Sequence, residues 1–162
     1  MYVKGKMKTN QDDLSDIFYI REKVFQEELK IPKSIEVDEY DKMAEFAVVY
    51  KVENLNDNRE LEKPVATGRI IIDAEGNYKI GRIAVLPGER GNQYGDMIVR
   101  MLISKAFNDG ANKVYVGAQT HATGFYEKMG FINSGVEYNE LGRKHIEMFI
   151  EATTTLRKCN NV

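Results

Sequence analysis

The feature that most narrows the fold is a change of hydrophobic period within GRIAVLPGERGNQYGDMIVRML, residues 81–102. An apolar strand-like run over residues 78–86 meets a Pro-Gly break, and a short polar loop holding Gly91 and Gly95 follows. Beyond it Met97, Ile98, Met101, Leu102 and Ala106 recur at helical spacing, and Val99, Ile103 and Phe107 widen the apolar surface nearly all round. A helix this apolar must be covered by a sheet and by further elements, so the chain reads as α/β.

The loop itself has a chemical meaning. The first N–H groups of a helix lack intrahelical partners, and the helix dipole adds partial positive charge there, so such a loop suits an anion. It is no Walker A loop, since no Gly-Lys-Ser/Thr follows, and it lacks the full GxGxxG dinucleotide pattern. Taken alone it reads equally well as a surface turn that starts a helix.

Elsewhere the pattern places most elements. Residues 1–7 suit an edge strand, and Asn10 or Asp12 is expected to cap a helix carrying Leu14, Ile17, Phe18, Arg21, Val24 and Phe25, which stops before Pro32. SIEVDEYDKM is expected to be irregular, EFAVVYKV a strand and NLNDNRELEKP a loop. Strands over 65–73 and 78–86 join through AEGN, so three consecutive strands are expected to pair antiparallel. KVYVGA is a short strand, ATGFYEKMG a helix closed by Gly130, and FINSGVEYNE with KHIEMFIEA a final strand pair.

With 162 residues, 43% of them hydrophobic and only three prolines, the chain can bury one sizeable core. We expect a single domain over 1–152 and a polar tail over 153–162. The formal charge of -2 gives no general attraction to nucleic acid or an anionic membrane, so a bound phosphate must be held locally. The single cysteine, Cys159, excludes an intramolecular disulfide, and the start MYVKGKMKTNQDDL lacks the apolar core of a signal peptide. A cytoplasmic protein is the default expectation, with no membrane partner. Two lone histidines and a tail cysteine give neither a metal site nor a nucleophilic triad.

LPGERGNQYG, AQTHATGFYEKMGF and the acidic EVDEYD together make nearly the whole chain resemble the GNAT superfamily of acyl-CoA-dependent N-acyltransferases. IREKVFQEELKIP, GRIAVLP and the His145 segment make it look closest to the ElaA-like branch. The resemblance implies a three-layer α/β/α fold with a mixed, mainly antiparallel sheet, splayed where the donor enters, and acetyl-CoA as that donor. Arg90, Gly91, Asn92, Gln93, Tyr94 and Gly95, with Asp96 following, fall on the family's pyrophosphate loop, written [Q/R]xxGx[G/A]. Arg90 and Gly95 match it, and Gln93 stands where the pattern has glycine. If that position needs positive φ, a side chain there costs on the order of 1 kcal/mol. The resemblance also implies that the backbone of Ile83, Ala84 and Val85 pairs with the pantetheine arm, and that Gln119 replaces an asparagine touching the same arm.

The chemistry can be reasoned separately. Acyl transfer from a thioester to an amine needs a neutral amine, a donor to the developing oxyanion and an acid for the departing thiolate. A tyrosine, with an ordinary pKa of about 10, stays protonated at neutral pH and can be that acid. Tyr126 matches the tyrosine of the family's FYEKxGF segment; its alternative is simple core packing beside Phe125. Candidate bases are Glu36, Asp38, Glu39, Asp41, His121 and His145. In an extended segment Glu36 and Asp38 point the same way. His145 alternates with Ile146 in its strand and can face the acceptor.

The resulting expectation is an acetyl-CoA-dependent N-acetyltransferase acting on a primary amine by direct attack, with Tyr126, His145 and Glu36 as catalytic candidates. An acyl-homoserine-lactone synthase is a rival, because IREKVF, EVDEYD and TGRI also resemble that family, although RGNQYG and FYEKMGF favour the acyltransferase. A non-catalytic acyl-CoA-binding module is the rival from another class. A small-molecule or peptide amine is the expected partner, and a homodimer is left open.

Overall fold

The computed structural model describes residues 1–152. The polar tail expected over 153–162, Cys159 included, lies outside the described residues.

Seven strands form one sheet: β1 (Tyr2–Lys8), β2 (Glu45–Asn54), β3 (Glu60–Ile72), β4 (Tyr78–Val85), β5 (Lys113–Gln119), β6 (Ile132–Glu140) and β7 (Arg143–Glu151). Their spatial order is β1-β2-β3-β4-β5-β7-β6, and every pair is antiparallel except β4 with β5. The crossover between those two parallel strands is α3 (Tyr94–Asn108), the apolar helix read from the sequence. It packs with α4 (Thr123–Met129) on one face, where Ile98, Val99, Leu102 and Ala106 meet Ala47, Ile80, Val114 and Met148. On the other face α1 (Ser15–Arg21) buries Ile17 and Ile20 against Phe46, Val48 and Tyr50. The result is the α/β/α arrangement expected, with a core on each side of the sheet.

Four local expectations need correction. The cap of α1 is supplied by neither Asn10 nor Asp12: the N-cap position is Leu14, and Asp13 Oδ1 accepts the Ser15 N–H at 2.9 Å. The helix then widens into a π-helical stretch (Glu22–Glu28), closed by the Leu29 N–H donating to the Val24 carbonyl. The loop expected before Pro64 is partly strand, since β3 starts at Glu60; Pro64 sits opposite Tyr50 at a register shift, where a missing N–H is tolerated. The acidic segment is ordered too, as a helical turn α2 (Lys33–Glu36) and a 3-10 turn (Glu39–Lys42).

Helix α3 approaches β3 closely at Gly68, where an added Cβ would lie 2.6 Å from Ile83 Cδ1 and 2.7 Å from Ile98 Cγ2. Overpacking of this kind typically costs about 1–3 kcal/mol. Gly68→Ala is therefore expected to lower the unfolding free energy by that amount, read as a lower urea midpoint at unchanged m-value, whereas Gly81→Ala, which meets nothing within 4 Å, leaves it nearly unchanged.

Candidate active site

Strands β4 and β5 keep only three register pairs, ending at Ile80 opposite Val116, and then part. At the same level the β3–β4 register shifts between Thr67 and Arg69, and Arg82 adopts φ +52. This bulge turns Arg82 towards the α1 side of the sheet and leaves the edge of β4 at Ile83 and Val85 without a β5 partner. A cavity of about 560 Å³ opens through the gap. One end, by the start of α3, is bordered by Val85, Arg90, Gly95 and Phe125; the rest of the lining includes Phe25, Asp38, Tyr40, Arg69, Lys79, Arg82, Ile83, Gln119, Tyr126, Glu140, Arg143 and His145.

At the first end α3 begins without a side-chain cap, leaving the N–H groups of its first turn free for an anion. The loop before it is shaped by three left-handed residues, Gly88 (φ +86), Gly91 (φ +84) and Gln93 (φ +63, ψ +20). The conditional strain at Gln93 thus applies, because this backbone conformation favours glycine. The pyrophosphate of a CoA thioester fits the uncapped helix start, and its amide-bearing arm fits the free edge of β4. Arg90 is already engaged: its guanidinium donates to both Glu28 oxygens at 2.9 and 2.5 Å and to the Val85 carbonyl at 3.2 Å. The Glu28 carboxylate raises the Arg90 pKa further and is itself held below the usual carboxylate range. Asn92, Gln93, Tyr94 and Asp96 border a second hollow between β1 and α3, and Asp96 accepts from Arg100 at 2.6 Å. Their side chains thus turn away from the gap, and any contact with donor there falls to their backbone.

Tyr126, 6% exposed, stands edge-on between Phe125 and Phe131, with ring centroids 5.0 and 5.4 Å away. Burial pushes its hydroxyl well above the ordinary tyrosine range, so it keeps its proton, and that hydroxyl makes no hydrogen bond among the described residues. His145 lies opposite Gln119 in β5 and Tyr138 in β6. Its Nδ1 is 2.8 Å from the Arg143 carbonyl, which can only accept, so Nδ1 carries the hydrogen and Nε2 holds the lone pair in the neutral ring.

The acidic segment wraps three arginines. Arg21, on α1, donates to Glu36 Oε1 at 2.6 Å and to both Asp41 oxygens at 2.7 and 3.0 Å. Arg69, on β3, reaches both Asp38 oxygens and Asp41, and Arg82 donates to the Glu36 carbonyl and Asp38. Glu36 is fully buried, with Gln26 on its second oxygen, and is therefore not available as a base. It also ends a helical turn rather than pointing with Asp38 from an extended segment. Asp41 is equally committed, and Glu39 is exposed beside Lys42. Burial pushes Asp38 and Asp41 up, but the bonds and charges of Arg69 and Arg21 outweigh it and hold both below the usual range.

The sequence pattern of the acetyltransferase (GNAT) family matches residues 14–131, from α1 through the uncapped helix start to Tyr126 and Phe131. The chain belongs to the GNAT family of acetyltransferases. An N-acetyltransferase of Bacillus subtilis, YjcF, is 35% identical over 147 residues, covering 90% of this chain and 98% of its own. Escherichia coli ElaA superposes with a TM-score of 0.74 at 25% identity, over 93% of this chain and all of that one. An acyl-CoA N-acyltransferase of Pseudomonas aeruginosa gives the same TM-score at 24% identity, over 91% and 99% of the two chains, a likeness of fold. As a GNAT acetyltransferase the protein uses an acyl-CoA donor, and among the described residues no helix is long and apolar enough to cross a membrane.

Several lining residues of this GNAT cavity were not singled out from sequence. Arg69, Lys79 and Arg82 carried one available signal: each is a cation inside an otherwise apolar strand. Glu28 carried none, since its role depends on the π-helical turn that brings it to Arg90.

Two outcomes follow from these charges. Glu28 competes with any phosphate for Arg90, so Glu28→Gln should tighten acetyl-CoA binding several-fold in a calorimetric titration at low salt, with the gain shrinking in high salt. Asp38 and Asp41 have depressed folded pKa values, so their stabilisation is complete above the unfolded value of about 3.9 and is lost as pH falls through the folded values. Urea midpoints should fall steeply below about pH 4, and Asp41→Asn should start lower and fall less steeply.

Proposed function

We propose that the protein transfers an acetyl group from acetyl-CoA to a primary amine by direct attack, with Tyr126 as the acid and His145 as the base. The observation that carries this reading is the unbonded, protonated Tyr126 hydroxyl bordering the gap that an uncapped helix start and a free strand edge also border.

The donor supplies a thioester carbonyl and a thiolate leaving group. Amides of the first turn of α3, with Arg90, hold the pyrophosphate, and the edge of β4 at Ile83, Ala84 and Val85 holds the arm. The amine enters from the end bordered by Asp38, Tyr40 and His145. His145 Nε2 accepts the amine proton directly or through water, a role that suits a group whose ordinary pKa lies near neutrality. Tyr126 donates its hydroxyl proton to the thiolate. The burial that raises the tyrosine pKa also raises the basicity of a thiolate formed in the same water-excluded gap, and it is this matching that lets the proton pass.

The lactone-synthase reading gains nothing from the cavity, and the family match runs through both RGNQYG and FYEKMGF, the segments that favoured the acyltransferase. The test begins with thiol release from acetyl-CoA across a panel of amines, with product masses. With an acceptor in hand, Tyr126→Phe keeps the ring and its edge contacts while deleting the proton donor. It should lower kcat roughly 10²-fold or more at nearly unchanged donor affinity. Undiminished turnover in folded Tyr126→Phe protein would falsify the acid assignment.

A further inference from the structure

The cations bordering the cavity divide into two groups. Arg69, Arg82 and Arg90 are engaged with Asp38 and Asp41, with Asp38 and Glu140, and with Glu28. Lys79 and Arg143 border the same cavity with no carboxylate within 4.0 Å among the described residues.

Lys79 is the more constrained of the two. It is half-buried on β4 between Tyr78 and Ile80, and its Nζ stands 4.8 Å from the centroid of the Tyr138 ring. That ring stacks on His145, with centroids 5.7 Å apart and planes 20° apart. The Tyr138 hydroxyl lies where residue 117 would carry a side chain: a Cβ on Gly117 would come 1.8 Å from Oη. Oη is buried and closes no hydrogen bond there. Tyr138 thus acts as a floor across β7 and β5, with Lys79 and His145 both against it. Burial is the largest influence on the Lys79 ammonium and pushes its pKa down, but Glu140, Tyr138 and Glu147 together outweigh it and raise the pKa above the ordinary lysine value. Glu140 itself sits 3.7 Å from Arg82. Because no carboxylate among the described residues lies within 4.0 Å of the Lys79 ammonium, an anion entering the cavity can meet it without first displacing a bonded counter-ion.

We propose that Lys79 is the acceptor-orienting cation: it receives a compact anionic group, a carboxylate or a phosphate, carried by the amine that reacts at His145. This rests on the acetyl-transfer reading above and narrows its acceptor to small amines that also bear an anion, with Tyr138 as the residue that positions both Lys79 and His145.

Binding is tested apart from turnover. The chain saturated with CoA is titrated with propionate, inorganic phosphate and the neutral control propionamide, following the ring signals of His145 and Tyr138 by NMR. At least one anion should shift them saturably while propionamide does not, and the anion that binds identifies the group carried by the acceptor. Lys79→Gln should weaken that binding tenfold or more, Lys79→Arg should restore most of it, and Arg143→Gln should change it less than threefold. Equal binding in wild type and Lys79→Gln, a loss confined to Arg143→Gln, or no saturable shift with either anion overturns the proposal. In turnover, β-alanine should show a KM at least tenfold below that of its carboxamide, and Lys79→Gln should erase the difference through KM rather than kcat. No thiol release with any amine, alongside intact Lys79-dependent anion binding, would sink the transfer reading and leave the anion site standing.

Discussion

Three register pairs join β4 to β5, and everything at the site depends on their number being so small. Had the parallel ladder continued, the backbone of Ile83 and Val85 would be spent on β5, and the cavity would not exist. The ladder stops because β4 bulges at Arg82, and a non-glycine residue at φ +52 persists only when its surroundings hold it. Here the acidic segment holds it: the Arg82 guanidinium donates twice to the Glu36 carbonyl and once to Asp38. The acidic segment is thus a fastener for the splay, and its own fold is set by Arg21 and Arg69 drawing Glu36, Asp38 and Asp41 inwards.

This arrangement divides labour between charges that look alike in sequence. Glu36 and Asp41 are structural anions whose oxygens are taken up by arginines, by Gln26 and by the Asp38 N–H, and removing either would leave the buried Arg21 with one carboxylate in place of two. His145, by contrast, has one nitrogen tied to the backbone and one with a free lone pair. The π-helical turn after α1 extends the same logic to the donor end. By widening the helix it carries Glu28 to Arg90, so that cation is neutralised from within and any other anion must displace a carboxylate to gain it.

Most of the architecture was legible in the sequence because its signals are local. The apolar faces of α3, the turn at AEGN and the Pro-Gly break fix element type through residue spacing alone, and the structure follows them. The misread parts are those where a distant partner decides. Pro64 argued for a loop, yet a bulge opposite Tyr50 admits it into β3. Asn10 and Asp12 are good capping residues, but Asp12 binds the Thr9 N–H instead, and Asp13 takes the helix start. SIEVDEYDKM has no apolar period and reads as solvated, because the cations that order it come from α1, β3 and β4. The same limit applies at the site: Arg90, Gly95, Tyr126 and His145, which a motif or strand alternation marks, do line the cavity, whereas Glu36 is buried against Arg21, and no local pattern reveals an arginine 15 residues away.

The insertion of the Tyr138 hydroxyl into the space beside Gly117 ties two positions of different strands into one heritable unit. Any side chain at 117 collides with the phenol, so a lineage can enlarge that residue only after residue 138 has shortened. Shortening 138 in turn removes the floor under Lys79 and His145. Substitutions at the two sites are therefore ordered in time, and the order passes through a sequence in which the acceptor end is remade. Among descendants of this chain, a tyrosine at 138 should be accompanied by glycine at 117, and a larger residue at 117 should be found only where 138 is smaller than tyrosine.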